Sequence, residues 1–247
     1  MPEADTRRHP VAAYRAMRNL LRDREDTRQV FLLIDALRGK TTLRQLARFR
    51  ATEFGRIALA ERRRLFDRLE DRAALKALPA GALGRAYHEF MASEDLSAEG
   101  LVKASTIPHS TDDSIWFRER NREMHDLLHV VTGYGRDPLG EACLVAFSYA
   151  QTGQLGFAVI AMFAGRRISR ARPSQPIWRA IWQGYRRGRR AGWLIGADWE
   201  TLLGQPVDAI RDQFGVKPAR HYPKVIAAIR DSGGVTTETP PATAMPA

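Results

Sequence analysis

The sequence predicts an all-α protein on three observations. Apolar residues recur with helical spacing along most of the chain, alternation of apolar and polar residues never survives more than a few positions, and no internal repeat is present. A chain of 247 residues, 44% hydrophobic and 27% charged, has the composition of a folded protein. It can bury one substantial core without staples. The lone cysteine, Cys143, excludes an internal disulfide and any thiolate metal knot, which fits a reducing cytoplasm. One multi-helix domain over residues 1–231 is therefore expected.

The first helix is expected around Val11, Tyr14, Met17, Leu20 and Leu21, which share one face, and the second around Val30, Leu33, Ile34 and Leu37, closed by Gly39. Thr41 or Thr42 can cap a third helix from Leu43. The pattern resumes from Ile57 through Leu78 and stops at Pro79, so three or four helices fill the first eighty residues. Gly81 to Met91 reads as helix with Leu83, Tyr87 and Phe90 on one side, and SEDLSAEGLVKAS as a Ser-capped short helix. TIPHSTDDS is a loop leading into a helix from about Ser114.

The apolar stretch from Cys143 to Ala164 reads as one helix, but Gln151, Thr152 and Gln154 interrupt it, and a spanning helix needs about 20 mostly apolar residues. The N-terminus has no apolar segment of the kind a secretory signal carries and no transit-peptide character. The tail SGGVTTETPPATAMPA, 232–247, has nothing to bury and is expected to be disordered.

Chemistry concentrates in IWFRERNREMHDLLHVVTGYGRDPLGE. His125 and His129, four apart, project from one face of a helix. Asp126 lies about 100° round from His125 and about 60° from His129. Gly133 and Gly135 end the helix, Asp137 is a natural N-cap, and Pro138 suits the first helical position, so Glu141 falls in the opening turn of the next helix. A helical hairpin thus returns Glu141 to the histidines. Two imidazoles with one or two carboxylates suit a divalent metal, zinc first, with iron, manganese or cobalt also accommodated. Asp126 is either a fourth ligand or the acceptor of a histidine N–H.

His125-Asp126-x-x-His129, eleven residues, then Glu141 resembles the HDxxHx11E signature of the ubiquinone (coenzyme Q) biosynthesis protein 4 family, here a bacterial member. The likeness extends through YRRGRRAGWL and DWETLL, over roughly residues 96–216. The resemblance implies ubiquinone biosynthesis by metal-dependent decarboxylation, oxidative or not, at ring carbon 1 of a polyprenylated hydroxybenzoate. His125, Asp126, His129 and Glu141 would be the metal ligands and catalytic residues. The partners implied are the polyprenylated precursor and other ubiquinone biosynthesis proteins, with a homodimer left open, and the location is the cytoplasmic face of the inner membrane, held peripherally. The Cys143–Ala164 helix would wall a tunnel for the polyprenyl tail, with Gly153 and Gly156 leaving room.

The net charge of +11, almost all arginine, points to an anionic partner. Arg166, Arg167, Arg170, Arg172, Arg186, Arg187, Arg189 and Arg190 suit an anionic membrane surface or a solvated face. Trp178, Trp182 and Tyr185 fall at i, i+4 and i+7, a packing stripe that argues against nucleic acid. Two alternatives stand beside the decarboxylase. One is a non-catalytic lipid-binding scaffold. The other is an HD-type metal-dependent phosphohydrolase drafting His109 and Asp198, which leaves His129 and Glu141 without a role. His88 and His221 read as ordinary polar residues, and Cys143 as a small buried hydrophobe.

Overall fold

A computed structural model describes residues 7–22, 27–93 and 112–232 of the chain. Among these residues every regular element is helical, and the one β-type contact is an isolated antiparallel bridge between Ala82 and Pro206. The all-α expectation holds. The SEDLSAEGLVKAS helix beyond Ser93, His109 and the tail beyond Ser232 lie outside the described residues.

The helices run α1 (Pro10–Arg22), α2 (Thr27–Ala36), α3 (Thr41–Arg50), α4 (Glu53–Ala60), α5 (Leu65–Leu69), α6 (Arg72–Ala77) and α7 (Leu83–Ser93). They continue as α8 (Asp113–Glu123), α9 (His125–Thr132), α10 (Pro138–Thr152), α11 (Leu155–Ala171) and α12 (Ile177–Arg190). After a 3-10 turn at Leu194–Gly196 follow α13 (Trp199–Leu202), α14 (Val207–Gln213) and α15 (His221–Asp231). Among the described residues six helices rather than three or four precede residue 80, because turns at Arg62 (φ 51°) and Asp71 break what the apolar pattern joins. None of the described helices is long and apolar enough to cross a membrane.

α10 is the central helix, with Leu139, Ala142, Cys143, Leu144, Ala146 and Phe147 all buried. It packs on α11, α12 and α15. The α10–α12 approach is close because α12 presents glycines: a Cβ on Gly184 would sit 2.5 Å from the Cys143 carbonyl oxygen, and one on Gly188 2.4 Å from that of Phe147. Trp199, Tyr87, Phe49 and Phe117 fill the rest of the main core, each large side chain worth about 1.5–3 kcal/mol of burial. A satellite core holds the α1–α2 pair to α11 through Ala13, Ala16, Met17, Leu33 and Leu37 against Leu155, Val159 and Ile160.

Several expectations are corrected. On α1 the buried face is Ala13, Ala16 and Met17, while Val11 and Tyr14 are exposed, because small residues let α2 approach. Thr41 begins α3 rather than capping it. The Cys143–Ala164 stretch is two helices, since Gly153 (φ 72°) adopts the left-handed conformation and ends α10. Gly156 does not leave room for a lipid tail: a Cβ there would meet the Ile34 backbone at 2.7 Å, so α2 fills the space. Trp178 (47% exposed) and Trp182 (59% exposed) are not core residues, and only the Tyr185 end of that stripe is partly covered. Arg187, grouped with the surface arginines in sequence, is buried.

Candidate metal centre

The expected single helix from Ser114 is two. Asp112 caps α8 by accepting from the Ser114 and Ile115 amides, and the backbone turns at Met124 before α9 begins at His125. His125 and Asp126 therefore occupy the first turn of α9, where a carboxylate suits the positive end of the helix dipole, and His129 lies one turn on. Gly133 ends α9 in the left-handed conformation (φ 72°) that a residue with a Cβ enters only with strain. Asp137 Oδ1 then accepts the Leu139 and Gly140 amides at 3.1 and 3.0 Å, Pro138 fills the first turn, and Glu141 follows, as the spacing predicts. A Cβ on Gly140 would lie 2.0 Å from the Gly135 carbonyl oxygen, so the loop can cross the start of α10 only over a glycine.

The hairpin brings the predicted residues together. His125 Nε2 is 3.6 Å from Glu141 Oε2 and His129 Nε2 is 3.3 Å from Glu141 Oε1, with the two rings edge-on at 4.9 Å. Among the described residues, His125, Asp126 and His129 offer donor atoms all within 4.8 Å of one another. Glu141 bridges both imidazoles but stands outside that tightest group.

His129 is fully buried, and its Nδ1 donates to the Tyr134 carbonyl at 3.0 Å. A carbonyl only accepts, so this bond puts the ring proton on Nδ1 and leaves the Nε2 lone pair free. Among the described residues, buried Nε2 has no hydrogen-bond partner, because Glu141 Oε1 lies near it outside hydrogen-bond geometry. An orphaned imidazole nitrogen costs about 1–3 kcal/mol, and a divalent cation held between it and the carboxylates would satisfy it. The donor set fits such an ion. Burial disfavours charge on His125, but the Glu141 and Asp126 carboxylates outweigh that and raise its pKa. Burial likewise works against a charged Glu141, yet the two imidazoles beside it hold its carboxyl well below the ordinary carboxylate range.

A profile of the coenzyme Q (ubiquinone) biosynthesis protein Coq4 matches residues 2–220. The chain belongs to the Coq4 family. Similar proteins include the mitochondrial ubiquinone biosynthesis protein COQ4 homologs of Rattus norvegicus, 31% identical over 162 residues (65% of this chain and 60% of the rat protein), and Bos taurus, 30% identical over 179 residues (72% and 67%). The chain thus spans less than two thirds of the rat relative's length. A crystal structure of a Nostoc punctiforme PCC 73102 protein assigned to ubiquinone biosynthesis superposes with a TM-score of 0.64 at 25% identity, covering 85% of this chain and all of the other.

In this Coq4-family chain the centre is held by residues that the sequence did not assign to it. Phe90 of α7 stacks on His129 with ring centroids 5.5 Å apart. Tyr87, one turn earlier, is buried, and burial together with the nearby Asp126 carboxylate pushes its phenol up, so it stays a protonated donor at neutral pH. The last carbonyls of α9 are taken by arginines from the C-terminal third. Arg211 of α14 donates to Val131 at 2.9 Å and Val130 at 3.0 Å, and Arg187 of α12 donates to Thr132 at 2.8 Å. Two cations at the negative end of a helix dipole add electrostatic support. Arg187 also lies over the Tyr134 ring, 4.8 Å from its centroid. Tyr222 of α15 accepts the Gly135 amide at 2.9 Å, donates to Asp137 Oδ2, and meets the Tyr134 ring edge-on at 5.3 Å. It therefore clamps the loop that sets Glu141 against His129.

Asp198, drafted for the phosphohydrolase alternative, does not join the centre. Asp198 caps α13, accepting from the Thr201 amide and hydroxyl at 3.1 and 2.9 Å. Cys143 is fully buried on α10 and burial pushes its thiol up, which makes it inert.

Proposed function

We propose that this Coq4-family protein acts in ubiquinone biosynthesis as a metal-dependent decarboxylase at ring carbon 1 of a polyprenylated hydroxybenzoate, peripherally associated with the inner membrane beside other proteins of that biosynthesis. The observation that carries this reading is the buried His129 Nε2, without a hydrogen-bond partner among the described residues, facing Glu141 across from His125. His125, His129 and Glu141 would hold a divalent ion, zinc first, and Asp126 either completes the set or orients it. When bound, the ion supplies a positive charge that neutralises substrate oxygens as negative charge builds on the ring.

The protein's own groups do the rest. Tyr134 keeps the His129 proton on Nδ1 so that Nε2 stays a donor of electrons. Phe90 shields one face of that ring from water. Tyr87 offers a protonated hydroxyl on the Asp126 side of the centre. In the simple form of the reaction the bond from ring carbon 1 to the carboxyl carbon breaks, carbon dioxide leaves, and the electron pair on the ring takes up a proton. In the oxidative form carbon dioxide leaves, water supplies the hydroxyl that takes the carboxyl's place, and two electrons and two protons pass to an external acceptor.

The test begins with elemental analysis of the purified protein and of its His129→Ala and Glu141→Ala variants. Near-stoichiometric metal in the parent, lost from both variants, together with accumulation of a carboxylated precursor in cells carrying Glu141→Ala, is the expected result. Turnover by metal-free Glu141→Ala protein refutes the assignment. Loss of complex assembly in that variant, with no carboxylated precursor, favours the scaffold.

A further inference from the structure

Between Glu141 and Asp198 the sequence carries nine arginines and no acidic residue, so most of the chain's net +11 is concentrated in this stretch. The structure folds it into α10, α11 and α12 and leaves apolar groups exposed there: Met162 (61%), Phe163 (40%), Trp178 (47%) and Trp182 (59%). At about 100° per residue, Trp178, Trp182, Arg186 and Arg189 fall within an arc of about 80° on α12, and all four are exposed. Trp178 is seated against α11, because a Cβ on Gly165 would touch its ring at 2.7 Å, and Met162 lies one turn before that glycine. Trp182 stacks on Tyr185 at 5.1 Å and Tyr185 on Tyr149 at 5.9 Å, so its outward pose is braced from beneath.

We propose that this α11–α12 face is the surface by which the protein docks on an anionic lipid bilayer, with Trp178, Trp182 and Met162 entering the headgroup boundary and Arg186 and Arg189 meeting lipid phosphates. The inference deepens the peripheral association in the reading above and is independent of the metal chemistry. Tryptophan is suited to the interface because its ring is apolar and its N–H is polar. A helix with aromatic residues and arginines on its outer face is the arrangement that lies in the interfacial plane, and charge and apolar area add in binding. Nucleic acid shares the phosphate chemistry, but Met162 and Phe163 add apolar surface that base stacking does not use and an acyl boundary buries.

The test is co-sedimentation with vesicles of phosphatidylglycerol and phosphatidylcholine, against phosphatidylcholine alone, using the full chain, Trp178→Ser/Trp182→Ser, Trp182→Ser alone, Arg186→Gln/Arg189→Gln, and Glu141→Ala. Circular dichroism establishes that each variant is folded, and Trp182→Ser is the variant least tied to the core. The expected result is parent binding to anionic vesicles that weakens with salt and blue-shifts tryptophan emission. The tryptophan variants lose it, the arginine pair weakens it on the order of tenfold or more, and Glu141→Ala keeps it. Parent protein that binds while every face variant binds equally overturns this surface and leaves peripheral association standing. Parent protein that fails to sediment at low salt overturns both. A dimer that shields the tryptophans and is broken by the same substitutions, or oligonucleotide binding that outcompetes vesicles, overturns the bilayer as the occupant.

Discussion

Replacing Tyr222 by Phe isolates what the clamp contributes, because the phenyl ring keeps its edge-on contact with Tyr134 and only the hydroxyl is lost. That hydroxyl makes two bonds, a charge-assisted one to Asp137 and a neutral one from the Gly135 amide. Charge-assisted bonds contribute about 1.5–3 kcal/mol and neutral ones about 0.5–1.5. The site is half-buried, so water partly replaces both partners, and the expected loss is about 2–3 kcal/mol. For a chain of this size that corresponds to a fall in Tm of roughly 4–12 °C. Urea unfolding followed by circular dichroism reads it as a lower midpoint at unchanged slope. The same substitution frees the loop between His129 and Glu141, so metal affinity should fall as well. A stability change below about 0.5 kcal/mol with undiminished metal affinity would refute the clamp and the reasoning behind it.

Arg120 forms a buried two-pronged pair with Glu200, at 2.7 and 2.6 Å. Burial opposes charge on Glu200 but the guanidinium outweighs it, so its folded pKa is lowered. The stability this contributes is present above the unfolded carboxylate value, near 4.3, and is lost as pH falls through the depressed one. Glu200→Gln should flatten that acid limb and destabilise by about 3–5 kcal/mol at neutral pH, since it strands a buried cation. An unchanged acid titration of stability counts against the pair. Gly184→Ala forces α12 away from the Cys143 carbonyl and should destabilise by about 1–3 kcal/mol in a thermal scan. Wild-type stability would mean the helices slide freely. Protons compete with metal for His125, whose pKa is raised, so zinc affinity by competitive titration should weaken as pH falls through and below that value. Equal affinity at pH 8 and pH 6 would argue against imidazole ligation.

The hairpin of the centre was legible because its signals are local. Gly133, Asp137 and Pro138 dictate where α9 stops and α10 starts, and i, i+4 spacing aligns the histidines whatever else packs nearby. What surrounds it was not legible. Arg187 sits in YRRGRR among exposed arginines and differs from them only in which way α12 faces, which the neighbouring Gly184 and Gly188 set by docking on α10. Trp178 and Trp182 carry core-like spacing, yet the core face of α12 is Ile177, Ala180, Ile181 and Gly184, one step round the helix. Periodicity gives the angle between residues and not the direction of the interior. The Cys143–Ala164 run misled for a related reason: apolar content continues through Gly153, but the backbone does not.

The double arginine cap on α9 bears on the order in which the centre can become rigid. A chain ending after α11 already contains His125, Asp126, His129 and Glu141, so by motif it is complete. It lacks Arg187, Arg211 and Tyr222, which take the Val130, Val131 and Thr132 carbonyls and the Gly135 amide. During synthesis the ligands therefore emerge first and their scaffolding later, from residues 46 to 81 positions beyond Glu141. Any ion captured early would sit in an eight-residue helix with a frayed end, and tightening would come only when the last helices dock.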